Sequence, residues 1–177
     1  MSATDFTVQT ARLSLRELPP DSHLVHATNC LATWGSGIAA ELAKIFPDAC
    51  RVYKAFCHAA RRRAGGEVSR WPPRSLAGQC LVIPPQPGDV ARGAPRVHIT
   101  RASLAAYRRV VDEKMSTTTE AAVAEGPRRQ PAAIYSPMFN SGAFRVPWQR
   151  TLAAIEEEFA GAKATWTVVL PPTQGSG

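Results

Sequence analysis

Two short glycine-bearing segments contain the residues best suited to bind an anion. The first includes Gly35-Ser36-Gly37, and the second is Asn140-Ser141-Gly142-Ala143-Phe144. Glycine lacks the Cβ that would keep a ligand away from the backbone, and free N–H groups at the start of a helix attract anions. The pattern therefore predicts phosphate binding, and its simpler interpretation is a tight strand-to-helix turn.

Each of these segments joins a predicted strand to a predicted helix. The first lies between a strand at His23 to Ala27 and a helix at Gly37 to Phe46, and the second between a strand at Ala132–Ser136 and a helix at Pro147 to Phe159. Ligands bind at the carboxyl ends of strands in α/β sheets, so we expect a diphosphate between the two loops. Neither loop carries the Gly-Lys-[Ser/Thr] of a Walker A motif, which argues against nucleotide triphosphatase chemistry.

The rest of the chain alternates apolar runs with helical spacing. The remaining predicted strands are Phe6–Thr10, Gln79–Ile83, Arg96–Thr100 and Thr165–Leu170, and the remaining predicted helices run from about Asp48 to Arg63 and from Leu104 to Met115. Pro84–Asp89 and Ser116–Pro131 are predicted to be a turn and a surface loop. This alternation is typical of an α/β fold with helices flanking a sheet.

Length and hydropathy indicate one domain in an aqueous compartment. The 177 residues fit a single core, which we place at 1–170 with a flexible tail at 171–177. No apolar run approaches the roughly 20 residues of a membrane-spanning helix. The first ten residues lack the features of a signal peptide, so we expect a soluble, cytoplasmic or nuclear monomer.

Charge and cysteine usage exclude several other classes. The 21 Lys+Arg against 14 Asp+Glu give a net charge of +7, but no aromatic residues interleave with the arginines, so nucleic acid is not an expected partner. Cys57 to Arg63 matches the Cys-x5-Arg of cysteine phosphatases, yet it continues a helical pattern. His23 and His26 would face opposite sides of a strand. We therefore predict no metal and no cofactor.

The two loops also carry a family resemblance. His26-Ala27-Thr28-Asn29-Cys30 followed by Trp34-Gly35-Ser36-Gly37-Ile38, together with the second loop and Val146-Pro147-Trp148, resembles the macrodomain family. The similarity is greatest to the branch that contains the fungal ADP-ribose 1''-phosphate phosphatase. It implies a three-layer α/β/α macrodomain-like fold with a mixed central sheet and a cleft for ADP-ribose.

The resemblance also implies roles for individual residues. His26 and Asn29 are the catalytic candidates. His26 is expected to give acid/base or nucleophilic help, and its alternative is a structural role in the core. Asn29 is expected to face the distal ribose. The residues expected to border the ligand are Cys30, Trp34, Gly35, Ser36, Gly37, Ile38, Asn140, Ser141, Gly142, Ala143 and Phe144. Within this set Trp34 is expected to cover the loop or ligand, and Cys30 to be a small packed residue.

The activity implied by the resemblance is metal-independent removal of the 1''-phosphate from ADP-ribose 1''-phosphate, a by-product of tRNA splicing. A non-catalytic ADP-ribose-binding module and a mono-ADP-ribosyl hydrolase are the alternatives. Phe144 stands where the hydrolases that act on ADP-ribosylated glutamate place an aspartate, which argues against their mechanism. Ala11-Arg12 stands where macrodomains carry Gly-Asp or Gly-Asn for adenine, so a weaker adenine contact is expected at that position.

Overall fold

The fold is built around one mixed β-sheet. The structure is a computed structural model, and it describes residues 6–28, 32–63, 79–102, 107–113, 132–141 and 145–172. Its strands in this part of the chain are β1 (Phe6–Arg12), β2 (His23–Val25), β3 (Cys80–Ile83), β4 (His98–Ala102), β5 (Ala132–Ser136) and β6 (Ala164–Leu170). They lie side by side in the order β1-β6-β5-β2-β4-β3. Only β3 runs antiparallel to its neighbour among these pairs, so the other five strands end at the same edge.

Helices cover both faces of the sheet. They are α1 (Gly37–Ile45), α2 (Pro47–Arg63), α3 (Pro87–Ala91), α4 (described over residues 107–113) and α5 (Trp148–Glu158). Helices α1 and α2 pack on one face, where Leu42 and Tyr53 are fully buried against Leu24. Helices α4 and α5 pack on the other, where Ile155 is buried with Trp166. The two cores confirm the predicted three-layer α/β/α arrangement with a mixed central sheet.

None of the helices in the described ranges is long and apolar enough to cross a membrane.

Cys57 is buried in the middle of α2, so the Cys-x5-Arg match lies in a helix, as predicted. His23 in β2 and His26, directly after β2, face opposite sides of the sheet: the ring centroid of His23 lies 5.9 Å from that of Tyr107, and that of His26 lies 5.8 Å from that of Trp34.

The predicted elements differ from the structure in a few places. Strand β5 has the predicted bounds, whereas β1 extends two residues further to Arg12 and α5 begins one residue later than predicted. The prediction of a turn at Pro84–Asp89 is wrong at its end, because Pro87 begins the short helix α3. The loop predicted at Ser116–Pro131 lies outside the described residues, and the domain bounds stay a prediction.

Helix α3 contributes a contact to the start of α2 that sequence spacing does not reveal. The buried carboxylate of Asp89 accepts hydrogen bonds from the backbone N–H groups of Asp48 (2.8 Å) and Ala49 (2.9 Å), at the start of α2. Arg92 lies 2.9 Å from the same carboxylate and 2.8 Å from that of Asp48. Asp89 therefore satisfies two of the N–H groups that the first turn of α2 leaves without partners.

Candidate ligand-binding cleft

A cleft of about 320 Å³ opens at the carboxyl ends of β2 and β5, which are neighbours in the sheet. It is lined by His26, Ala27, Thr28, Thr33, Gly35, Ser36, Gly37, Ile38, Ala39, Pro137, Met138, Phe139 and Asn140. The two glycine-bearing loops thus meet across one opening. From the second loop only Asn140 is among these residues, and binding of a diphosphate between the loops stays a prediction.

The first loop presents open backbone to the cleft. A Cβ at Gly35 or Gly37 would meet nothing within 4 Å, and Gly37 has a φ of +55°, a conformation that side chains disfavour. Ser36 precedes α1 without a capping hydrogen bond from its side chain. Within the described residues, the first turn of α1 therefore lacks a side-chain cap at a helix end that carries partial positive charge.

The second loop is held in a turned conformation by its own backbone. Asn140 has a φ of +67°, which asparagine tolerates better than most residues, and its carbonyl accepts a hydrogen bond from the N–H of Val146 at 3.0 Å. The hydroxyl of Ser141 is buried and has no hydrogen-bond partner among the described residues. Ser141 is not among the residues that line the cleft, so its predicted contact with the ligand stays a prediction.

His26 lies at the inner wall of the cleft. It follows the last residue of β2, its backbone N–H donates to the carbonyl of Thr100 at 3.1 Å, and only 4% of the residue is exposed. Neither ring nitrogen has a hydrogen-bond partner within the described ranges. Burial lowers the pKa of His26 from 6.5 to about 4, because the charged form loses its hydration. The imidazole is therefore neutral at pH 7, with one nitrogen able to accept a proton.

Trp34 lies beneath the first loop rather than over the cleft. Its indole is buried, stacks on Tyr53 at 5.4 Å between ring centroids, and meets the His26 ring edge-on at 5.8 Å. It is absent from the residues that line the cleft. A large aromatic ring gains most by burying its surface in the core, and the expectation that Trp34 covers the loop or the ligand stays a prediction. From there the indole supports one side of the His26 ring.

Five of the predicted site residues are not among those described. Asn29 and Cys30 belong to the first loop, and Gly142, Ala143 and Phe144 to the second. Their predicted roles stay predictions. Conversely, Pro137, Met138 and Phe139 line the cleft and were not predicted. Their position directly after β5 was the available signal, since ligands bind beyond the carboxyl ends of parallel strands.

A second chamber of about 210 Å³ adjoins the cleft. The two share Ile38, Pro137 and Met138, and the chamber is completed by Leu13, Ser14, Leu15, Glu41, Val169, Leu170, Pro171 and Pro172. Most of these side chains are apolar. Cleft and chamber together have the size typical of sites for small organic ligands, about 300–1,000 Å³.

Comparisons with known proteins find similarity in both sequence and fold. An ADP-ribose 1''-phosphate phosphatase of Candida albicans is 32% identical over 137 residues, which cover 76% of this chain and 80% of that protein. One from Scheffersomyces stipitis is 29% identical over 165 residues, covering 81% and 89% of the two chains. A macrodomain protein of Streptomyces coelicolor superposes with a TM-score of 0.58 at 16% identity, over 92% of this chain and 98% of its own. No family model matches the sequence.

The layered fold and the cleft between two loops define an α/β/α domain of the macrodomain class. The chain belongs to the macrodomain family, in the branch that contains the fungal ADP-ribose 1''-phosphate phosphatases.

Proposed function

We propose that this protein is a phosphatase that removes the 1''-phosphate from ADP-ribose 1''-phosphate, the by-product of tRNA splicing. The observation that carries the proposal is the cleft itself, in which an open helix start and a buried histidine share one wall. The names of the sequence relatives support the choice of substrate.

The diphosphate of the ligand would bind at the first loop. The N–H groups around Gly37 and Ile38 lack side-chain partners, and the dipole of α1 places partial positive charge beside them. Asn140 would close the site from the second loop. The adjoining chamber would take the adenosine end of the ligand, because its apolar walls suit a base and not a phosphate.

The reaction would place the terminal phosphate beside His26. A water oxygen attacks phosphorus, the bond from phosphorus to the 1'' oxygen breaks, and the products are ADP-ribose and inorganic phosphate. Since His26 is neutral at pH 7, its role would be to accept a hydrogen bond or a proton from that water. Backbone N–H groups would stabilise the charge on the phosphoryl oxygens, which is the main requirement of phosphoryl transfer.

A non-catalytic ADP-ribose-binding module is the second candidate. The depth of His26 favours it, because a ring that is 4% exposed and packed against Trp34 also fits a purely structural role. The two candidates share the binding step and differ only in turnover. An assay that follows both quantities on the same sample therefore separates them.

The test measures phosphate release from ADP-ribose 1''-phosphate in EDTA, together with calorimetric binding of ADP-ribose. We expect both, and we expect His26→Ala to lower turnover about 10²–10⁴-fold while binding stays within a few-fold. His58→Ala is the matched control, since His58 is exposed on α2. Binding without turnover in the wild type would select the second candidate. Full activity of folded His26→Ala would remove the catalytic role of this residue.

A further inference from the structure

We propose that Glu41 decides which base the second chamber accepts, by selecting rings that carry an exocyclic amino group. This inference rests on the proposed function, since it concerns the end of the same ligand that lies away from the phosphates. It assigns to α1 a second role, beyond the anion site at its first turn.

Glu41 is chemically distinct within the chamber. Among the residues that line it, Glu41 has the only ionisable side chain, and the only other polar side chain is that of Ser14. The remaining walls are leucine, isoleucine, valine, methionine and proline, which offer contact area but no discrimination between polar groups on a ring. Glu41 and Ser14 are therefore the two lining side chains that can distinguish polar groups on a ring.

The position of Glu41 suits it to meet a ligand that spans both chambers. It lies three residues after Ile38, which lines cleft and chamber alike, so the two side chains share one face of α1. The rise between them is about 4.5 Å along the helix axis. Glu41 thus borders the chamber on the same side of α1 as Ile38, which borders both cavities.

The carboxylate of Glu41 is also uncommitted. The residue is exposed, and it forms no hydrogen bond or ion pair with any residue in the described ranges. By contrast, the Ser14 hydroxyl already accepts a hydrogen bond from the N–H of Arg16 at 3.2 Å. A carboxylate without protein partners can take a hydrogen bond from a ligand without giving up another.

The two polar groups differ in what they can distinguish. A serine hydroxyl donates or accepts, so it tolerates an amino and an oxo substituent alike. An ionised carboxylate only accepts, so it binds an amino group and repels the lone pairs of an oxo group. Where it faces the exocyclic group, Glu41 therefore favours the amino group of adenine over the oxo group of hypoxanthine, two bases of nearly the same shape.

The experiment compares ADP-ribose with its hypoxanthine counterpart, inosine diphosphate ribose, by calorimetry at pH 7. We expect the wild type to bind ADP-ribose about 10-fold more tightly. In Glu41→Gln the difference should shrink to about 3-fold or less, because the amide can donate to the oxo group as well as accept from the amino group. Glu156→Gln makes the same chemical change on exposed α5, away from the chamber, and should keep the wild-type ratio.

Equal binding of the two nucleotides by the wild type would overturn the inference and leave the proposed function standing. Full discrimination in Glu41→Gln, with an unchanged melting temperature, would overturn it as well. If the wild type binds neither nucleotide, the proposed function itself fails and Glu41 has no base to select.

Discussion

The starts of helices α1 and α2 both present backbone N–H groups, but the two differ in what those groups contact. At the start of α2, the N–H groups of Asp48 and Ala49 donate to the buried carboxylate of Asp89. At the start of α1, Ser36 makes no side-chain cap and Gly37 leaves the backbone open to the cleft. Both ends carry the same partial positive charge. One is neutralised by the protein, and the other is available to a ligand.

The contrast shows what separates a structural anion contact from a binding site. Helices α3 and α5 also begin without a side-chain cap, so a missing cap does not by itself define a site. What distinguishes α1 is the cleft in front of it, with the second loop on the far side. In this comparison Asp89 holds at α2 the place that we assign to a phosphate at α1.

The largest expected effect comes from adding an anion to the open helix start. Gly37→Glu places a carboxylate where the diphosphate would bind, and we expect ADP-ribose affinity to fall about 1,000-fold, or about 4 kcal/mol. Gly37→Gln is the control, because it carries the same backbone strain and nearly the same volume without charge. Calorimetry on both variants checks this. Equal affinity of Gly37→Glu and the wild type would place the anion site elsewhere.

Lowering the pH is expected to destabilise the folded protein through protonation of His26. The folded pKa of about 4 lies below the unfolded value of 6.5, so between these pH values the unfolded chain binds more protons. The free energy of unfolding should therefore fall as the pH drops below 6.5, by about 2 kcal/mol at pH 5, with no contribution above pH 7. Urea unfolding of wild type and His26→Asn at pH 7 and pH 5 measures the difference. The same pH slope in both proteins would contradict the assignment.

Removing the internal anion should affect stability and not binding. Asp89→Ala leaves the two N–H groups of α2 without their partner, at an expected cost of about 2 kcal/mol in the free energy of unfolding. Asp89→Asn keeps one acceptor oxygen, so its cost should be about half as large. Both variants should bind ADP-ribose like the wild type. Chemical denaturation measures the loss of stability, and calorimetry measures ADP-ribose binding. A folded Asp89 variant with reduced affinity for ADP-ribose would contradict this prediction.

The smallest expected effect comes from removing the ion pair between Asp89 and Arg92 while the hydrogen bonds from α2 to Asp89 remain. Arg92 is half exposed where it meets Asp89, so Arg92→Gln should cost less than about 1 kcal/mol. The helix N–H groups, and not the arginine, then account for most of the stabilisation by Asp89. A cost for Arg92→Gln equal to that of Asp89→Ala, measured by the same denaturation, would reverse this ranking.

Much of the site was predictable from local sequence because the relevant signals are local. Strand β5 is bounded by its own apolar run, and Gly37 marks the strand-to-helix turn with a positive φ that few other residues adopt. The parallel order of β2 and β5 then brings both loops to one edge. Each of these steps needs only neighbouring residues and a general rule of sheet topology.

The features that were not predicted depend on distant contacts. Asp89 caps a helix 41 residues earlier in the chain, and no spacing rule connects the two. Trp34 was expected near the ligand because it adjoins a glycine loop, yet Tyr53 offers its ring a partner in the core. The lowered pKa of His26 likewise follows from burial, which the residue type does not reveal. Tertiary packing determines all three.

The pairing of β1 with β6 has a consequence for how the chain is made. Phe6 pairs with Ala164 and Arg12 with Leu170, so each contact of this ladder closes a loop of 158 residues. During synthesis, β1 leaves the ribosome long before β6 and cannot form this pairing until β6 has been made. Until then its apolar residues Phe6 and Val8 remain on an unpaired strand, a state prone to aggregation. The sheet is thus completed only after β6 has been made, and a chain cut before β6 leaves β1 without its pairing partner.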